Sequence, residues 1–470
     1  MSRKKKMFQS GVYKERRKKL KTLVGKGLLI FLGNQESSIN YVDNHYRFRQ
    51  DSTFLYFFGI DKPGLAAIID IDNDRDILFG KGATMDDVIW TGPQPSLEEY
   101  KAMSGMDDAL DIDSLKRYIE KAGSSSLTHY LPPYRPEHTL RLGELLERNS
   151  FSIEIGYSES LIRAIISLRS IKSAEEIQEL HKAGDITGRM HLEVMKAAKA
   201  GMKEAALAGI AHKEAIAGGG DLSFATILTK NGQTLHNHYH GNTIENGDLI
   251  LVDCGAETDM GYAGDMTRTF PVNGRFSNRQ KEIYTVVLEA QKAAIEALKP
   301  GLSYLEIHQR TAGVIVEGLK SLGLMKGDSS EAVKQGAYAL FMPHGLGHMT
   351  GLDVHDMENL GEELVGYSDS VKRSEKFGIR SLRLGKILET GFTLTVEPGI
   401  YFIPDLIDKW KSEKMFRDFI DYEKLEGYRN FGGIRIEEDF LITENGSQLL
   451  GMPLAKSIEE IETIRQNAEQ

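Results

Sequence analysis

Asp253, Asp265, His348, Glu397 and Glu437 are four carboxylates and one imidazole, widely separated along the chain. They lie in four short segments: VDCGAETDMGYAGDMTRTF, MPHGLGHMTGLDVHD, TVEPGIYF and GGIRIEEDFLIT. Each segment reads as a strand or a tight loop. Each also carries a further polar residue that a hydrolytic site could use. Taken together, the five can form one two-metal site. Oxygen-rich donors with a single imidazole suit manganese, cobalt or zinc better than a thiolate-preferring ion. Such a site needs carboxylates that bridge two cations about 3.5–4 Å apart and a shared water whose pKa falls to roughly 7. The same ions polarise a scissile carbonyl.

Six of the 13 histidines fall in two clusters, His236, His238 and His240, then His344, His348 and His355. A lone histidine is more often structural, whereas clusters beside glycine-rich turns point to ligand or substrate contacts. Spacing alone leaves both readings open. None of these histidines forms the HExxH pattern of helical zinc proteases.

The elements that must position these groups can be read from periodicity. GDLILVDCG is a short buried strand, and after a turn at Gly261, GDMTRTFPV is its antiparallel return. That hairpin sets Asp253 opposite Asp265, a stiff frame for one bridging and one terminal ligand. RIEEDFLIT reads as a third strand, with Arg435, Glu437 and Asp439 on one face and Ile434, Ile436 and Phe440 on the other. By alternation alone the charged face points either to water or into a metal cavity. Ser173-Ala-Glu-Glu176 fits a capping box that opens a helix carrying Ile177, Leu180, Ala183, Ile186 and Met190 at helical spacing. A second long helix is expected from Asn278 to Leu298, stopped by Pro300-Gly301. Earlier in the chain, AAIIDID and DILFG read as strands and YLPPYRPEHTL as a proline-punctuated loop.

A chain of 470 residues predicts two domains. Hydrophobic content of 41% and charged content of 27% are those of a soluble globular protein. No run is long enough to span a membrane. The basic N-terminus lacks an apolar secretory core. One cysteine, Cys254, cannot pair within the chain and fits a reducing cytosol. A net charge of −10 argues against nucleic-acid binding. The basic block Arg3 to Lys21 is expected to be the solvated face of a first helix, with Phe8, Val12 and Leu20 turned inward.

DMTRTFPVNGRF, FMPHGLGHMTGLDVHD, TVEPGIYF and GIRIEEDFLIT, in that order, resemble the signatures of the pita-bread metallopeptidases. The similarity is specifically to the Xaa-Pro peptidases, aminopeptidase P and prolidase. FRQDSTFLYFFGID and VIWTG resemble that family's N-terminal domain. The resemblance implies an α+β protein of two domains. Residues 1–170 form a smaller α/β domain, and residues 171–470 form the pita-bread catalytic domain, with a curved antiparallel sheet and flanking helices.

It also implies roles. Asp253 is a terminal ligand of one ion, Asp265 and Glu437 bridge, and His348 and Glu397 ligate the other. Glu397 doubles as general base. His236 and His355 contact substrate and stabilise the tetrahedral intermediate, and His344 is a further site histidine. His238 is the alternative to His236, which follows the leucine as the family pattern requires. Arg435 orients carboxylates from behind the ligands. Arg383, fourteen residues before Glu397, resembles the prolidase arginine that binds a free proline carboxylate.

The implied activity is hydrolysis of the bond between a first residue and proline. Xaa-Pro dipeptides lead, and longer Xaa-Pro peptides are the alternative. Two divalent ions are implied, manganese first, with cobalt or zinc possible. A cytoplasmic homodimer or homotetramer is expected, with Trp90 as a candidate contact and no nucleic-acid or membrane partner. The competing classes are a metal-free peptide-binding module on the same fold and a methionine aminopeptidase.

Overall fold

The computed structural model describes residues 7–123 and 127–469. The chain divides into two compact units. One comprises the residues up to Arg169 with Met357–Gly361; the other comprises Ser170–Asp356 and Glu362–Gln470. Among the described residues, no helix is long and apolar enough to cross a membrane.

The first unit is built on a five-stranded mixed sheet. After helix α1 (Ser10–Val24) come β1 (Leu28–Leu32), β2 (Ala66–Asp70), β3 (Arg75–Gly80), β4 (Asp108–Asp111) and β5 (Thr128–His129), ordered β4-β3-β2-β1-β5. The runs LLIFL and AAIID are buried almost throughout, as expected for strands covered on both faces. YLPPYRPEHTL is not wholly loop. Pro136 occupies the first turn of a helix, Pro136–Leu146, where its missing amide hydrogen is not needed.

The basic block is not a uniformly solvated face either. Arg16 and Arg17 are buried. Arg17 donates to Asp76 at 2.7 Å and to the carbonyls of Phe57, Ser104 and Gly105. Its guanidinium has enough satisfied donors to tolerate burial, which charge counting cannot foresee. Leu20 is buried, while Phe8 and Val12 are only half-buried. Arg3, Lys4, Lys5 and Lys6 lie outside the described residues.

The second unit opens with α2 (Ala174–Ala197). Its N-cap, Ser173, forms the capping box with Glu176, whose carboxylate accepts from the Ser173 amide at 3.0 Å. The strands that matter to the site are β6 (Ile227–Thr229), β7 (Leu249–Cys254) and β8 (Met266–Pro271), in the order β8-β7-β6. Helices α3 (Asn278–Ala297) and α4 (Tyr304–Ser321) follow. Then come β9 (Thr393–Val396), β10 (Gly399–Tyr401), β11 (Gly433–Arg435), β12 (Glu438–Ile442) and β13 (Ser447–Leu449). β9-β12-β13 form one antiparallel sheet, and β10 pairs with β11 in another. Alternate residues of these strands, such as Ile250, Val252, Met266, Phe270, Ile434 and Ile436, share a core with Ile186 and Met190 of α2. The opposite faces are left for polar groups.

A wholly buried ion pair braces the start of this unit. Lys172 Nζ lies 2.9 Å from Asp356 Oδ2, and each side chain is 1% exposed. Asp356 also closes the loop after His348, since its amide donates to the Met349 carbonyl at 2.9 Å. Lys172→Met should lower unfolding free energy by ~3–5 kcal/mol in urea titrations, because the buried Asp356 carboxylate loses the cation it lies against. Adding Asp356→Leu should recover much of that loss. A single variant as stable as the parent would contradict the account.

Candidate metal centre and active site

β7 and β8 carry the first two carboxylates, but not directly opposite one another. Register pairs Asp253 with Thr267 and Cys254 with Met266, so Asp265 precedes the ladder. The reason is the connection between the strands. It is not a tight turn but contains a second pairing element, with Ala256–Glu257 bonded to Asp221–Leu222 and Glu257 bridged to Ala263. Side chains alternate, so Asp265, Thr267 and Thr269 still share a face with Asp253, and the two aspartates are diagonal neighbours.

RIEEDFLIT is not one strand. Gly433–Arg435 pairs with β10, Glu438–Ile442 pairs with β9, and Ile436-Glu437 spans the change of sheet. Glu397 sits at the matching break between β9 and β10. The two breaks are joined by the Ile436 amide donating to the Pro398 carbonyl at 3.3 Å. Carboxylates at paired breaks turn into the interior. Arg435, Glu437 and Asp439 are all buried, so the charged face of this segment does not meet water.

These groups meet at a cavity of about 290 Å³. Its lining includes Asp253, Asp265, His348, Glu397 and Glu437, together with His236, His238, His344, His355, Arg383 and Arg435. His240 is not among them; its Nε2 lies 3.1 Å from the Thr226 carbonyl. Ligand atoms of Asp265, His348 and Glu437 all lie within 4.8 Å of one another. His348 Nε2 is 3.3 Å from Asp265 Oδ2 and 3.8 Å from Glu397 Oε1. The His355 ring centroid is 4.2 Å from that of His348.

The donor set fits divalent cations. His348 Nδ1 lies 3.0 Å from the Met349 carbonyl, which can only accept, so Nδ1 carries the hydrogen. In the neutral ring Nε2 then presents a lone pair toward two carboxylates, an arrangement that a cation completes. Asp265 Oδ1 is buried without a hydrogen-bond partner among the described residues. Burial and the Asp253 charge push the Asp265 carboxyl up to about 8. Burial raises Glu397 to about 8 against the opposing pull of Arg435. Burial and Asp265 also drive Glu437 well above the ordinary carboxylate range. Acidic groups crowded together and withdrawn from solvent hold protons unless positive charge replaces them.

Three residues fix the frame. Thr267 Oγ1 donates to Glu437 Oε2 at 2.6 Å, and the two backbones bridge. Arg435 donates to Asp253 Oδ2 at 2.5 Å, to Thr267 Oγ1 at 3.2 Å and to the Tyr401 hydroxyl at 2.8 Å. Tyr401 was not among the sequence candidates. Its only signal is its place in TVEPGIYF, where a tyrosine after an apolar run reads as core. The structure shows a fully buried ring whose oxygen also lies 2.9 Å from His344 Nε2. Arginine has only donors, so the phenol oxygen accepts from Arg435; the Gly345 carbonyl beside His344 Nδ1 can only accept, which leaves Nε2 to accept the phenol hydrogen. His344 is therefore the Nδ1–H tautomer. That hydrogen points to the Gly345 carbonyl at 2.7 Å, with Glu397 Oε2 at 3.8 Å. Burial, with the Arg435 charge, depresses His344 to about 3, so the ring stays neutral.

The chain is similar to known proteins over nearly its whole length. The metallopeptidase family M24 model matches residues 178–444, and the aminopeptidase P N-terminal domain model matches residues 13–130. The Xaa-Pro dipeptidase of Homo sapiens is 33% identical over 465 residues, covering 95% of this chain and 90% of that protein. The Xaa-Pro aminopeptidase of Escherichia coli (strain K12) is 33% identical over 453 residues, covering 94% and 93%. The structure of Pseudomonas aeruginosa aminopeptidase PepP superposes with a TM-score of 0.82 at 29% identity, over 98% of this chain and 99% of that one.

The hydroxyl of Tyr401 gives a direct test of the hydrogen-bond chain. In Tyr401→Phe, the nitrogen NMR shifts of His344 should move from a single Nδ1–H tautomer toward a mixture. Shifts identical to those of the parent would remove Tyr401 from the frame.

Proposed function

This chain belongs to metallopeptidase family M24, and we propose that it is a metal-dependent Xaa-Pro peptidase. It hydrolyses the bond between an N-terminal residue and proline. One observation carries this reading: the buried Asp265, His348 and Glu437 group opens on a cavity that also holds Glu397, several histidines and Arg383. Relatives named Xaa-Pro dipeptidase and Xaa-Pro aminopeptidase support it.

In this reading Asp253 would be a ligand of one divalent ion, His348 and Glu397 would hold the other, and Asp265 and Glu437 would be available to both. When bound, such ions lower the pKa of water and polarise the scissile carbonyl. Arg435 holds the Asp253 carboxylate in place and keeps positive charge behind the ligands. Glu397 moves the proton, taking it from the attacking water and delivering it to the departing proline nitrogen. His355, beside His348, and His236 offer imidazoles to the carbonyl oxygen as it gains charge. His238 lines the same cavity and is the alternative to His236. His344 stays neutral, oriented by Tyr401. Phe224, Ile227, Leu235 and Val354 supply an apolar wall suited to a proline ring or an apolar first side chain.

Arg383 receives the free carboxylate of an Xaa-Pro dipeptide, the leading substrate. Longer Xaa-Pro peptides are the second reading, favoured by structural neighbours that are aminopeptidases P. Manganese is the first choice of metal, with cobalt and zinc next. Small peptides as partners, a homodimer or homotetramer and a cytoplasmic setting complete the proposal. The domain limits proposed are 1–170 and 171–470. A metal-free binding module is the rival class, and it predicts no uptake of manganese or cobalt by the stripped protein.

Glu397→Ala should abolish turnover of Ala-Pro by manganese-loaded protein, a loss of at least about a thousandfold, because the variant lacks both a donor and the proton carrier. Retained activity would contradict the assignment. Arg383→Ala should raise KM for Ala-Pro by roughly ten- to a hundredfold, the range of a lost charge-assisted bond, and affect Ala-Pro-Ala far less. Equal losses on both peptides would remove the dipeptide preference.

A further inference from the structure

Tyr304 opens helix α4, and its ring is fully buried. Its amide donates to the Lys386 carbonyl at 3.0 Å, which fixes the base of the side chain. The hydroxyl lies 2.5 Å from the Thr395 carbonyl and 3.3 Å from the Leu346 carbonyl. Both carbonyls can only accept, so the phenol hydrogen is shared between them. Leu346 lies just before His348 in the chain, and Thr395 just before Glu397. Tyr304 does not line the cavity itself.

The two segments it joins run side by side. The Glu397 amide donates to the Leu346 carbonyl at 2.8 Å, the Thr395 amide to the His348 carbonyl at 3.0 Å, and the His348 amide to Thr395 Oγ1 at 3.1 Å. Gly347 lets the loop lie flat against β9. A Cβ there would come within 2.2 Å of the Thr395 carbonyl oxygen and 2.6 Å of the Tyr304 hydroxyl, closer than a side chain can be accommodated without a shift. One turn further along α4, His308 Nε2 lies 2.8 Å from the hydroxyl of Tyr338, which precedes His344 in the chain. One face of one helix thus holds the stretch from Tyr338 to His348 near both its ends.

We propose that Tyr304 is a positioning residue of the metal centre: its hydroxyl, caught between the Leu346 and Thr395 carbonyls, locks the segment carrying His348 against the strand end carrying Glu397, so that both offer donors to one ion. The inference rests on the metal reading above. His348 Nε2 and Glu397 Oε1 stand 3.8 Å apart. Nitrogen and oxygen donors sit about 2.0–2.2 Å from an ion such as zinc, so a small slip of either segment would take one donor out of reach.

The test uses the full-length chain, stripped of metal, and zinc alone. Free zinc is set with a chelator buffer, and the nitrogen NMR shifts of His348 report its binding. In Tyr304→Phe these shifts should reach their zinc-bound values at a free zinc concentration roughly tenfold above that of the parent, the low end for groups that orient metal ligands. Tyr130→Phe is the control. The Tyr130 hydroxyl makes the same kind of bond within the first unit, to the carbonyls of Ile153 and Ser152 at 3.2 and 3.4 Å. Loss of a buried hydroxyl costs stability in either variant, but only Tyr304→Phe should bind zinc more weakly. Gly347→Ala, which wedges the same two segments apart, should shift the zinc midpoint in the same direction, and it decides the matter if Tyr304→Phe does not fold. A parental midpoint in Tyr304→Phe, or an equal shift in Tyr130→Phe, overturns the inference. If the His348 shifts of the parent do not respond to zinc, the metal reading itself fails and the inference falls with it.

Discussion

Carboxylates do not crowd together willingly, and much of the second unit is arranged around that fact. Asp253, Asp265, Glu397 and Glu437 line one space, three of them buried and Glu397 half-buried. Mutual repulsion and desolvation push Asp265, Glu397 and Glu437 toward the protonated form. Arg435 supplies the fixed positive charge on one side, bonded to Asp253, Thr267 and Tyr401 at once. His348 Nε2 meets the Asp265 carboxylate, whose other oxygen has no hydrogen-bond partner among the described residues, and there a divalent cation would supply the balancing charge. A site of this kind is tuned for metal by what it withholds as well as by what it offers.

The backbone makes that crowding possible by interrupting its own strands. A continuous strand delivers side chains alternately to two faces and leaves each pair-bonded to fixed neighbours. At Glu397 and at Ile436-Glu437 the chain leaves one small sheet for another. The carboxylates at these breaks are free to turn inward while the flanking residues keep their ladders. Thr267 closes the gap, bonding Glu437 through side chain and backbone. Arg268, fully buried next to it, donates to the carbonyls of Thr267 and Glu437 and to the Glu438 carboxylate. The site thus sits at a seam between sheets rather than on the face of one.

Much of this was legible in the residues. The helices opening after Ser173 and ending near Leu298 follow from a capping box, apolar spacing and Pro300-Gly301, all of them local signals. The strands β2 and β3, and β7 and β8, follow from short apolar runs. The buried arginines of α1 were not legible, because their partners are carbonyls far away in sequence. Nor was the register of the hairpin, which depends on an inserted pairing element. Tyr401 was missed because its role depends on an arginine and a histidine reached only through the fold.

Residue chemistry by itself determined which side chains could bind metal and move protons, because donor type and charge belong to each residue wherever it lies. Whether Glu437 and Asp439 face water or the interior was decided only by the tertiary structure. Alternation sets which residues share a face, but not what lies against it. The same holds for the tautomer of His344, which depends on Tyr401 and Arg435, distant in sequence, coming within a few ångströms of it and of each other, as only the folded chain arranges.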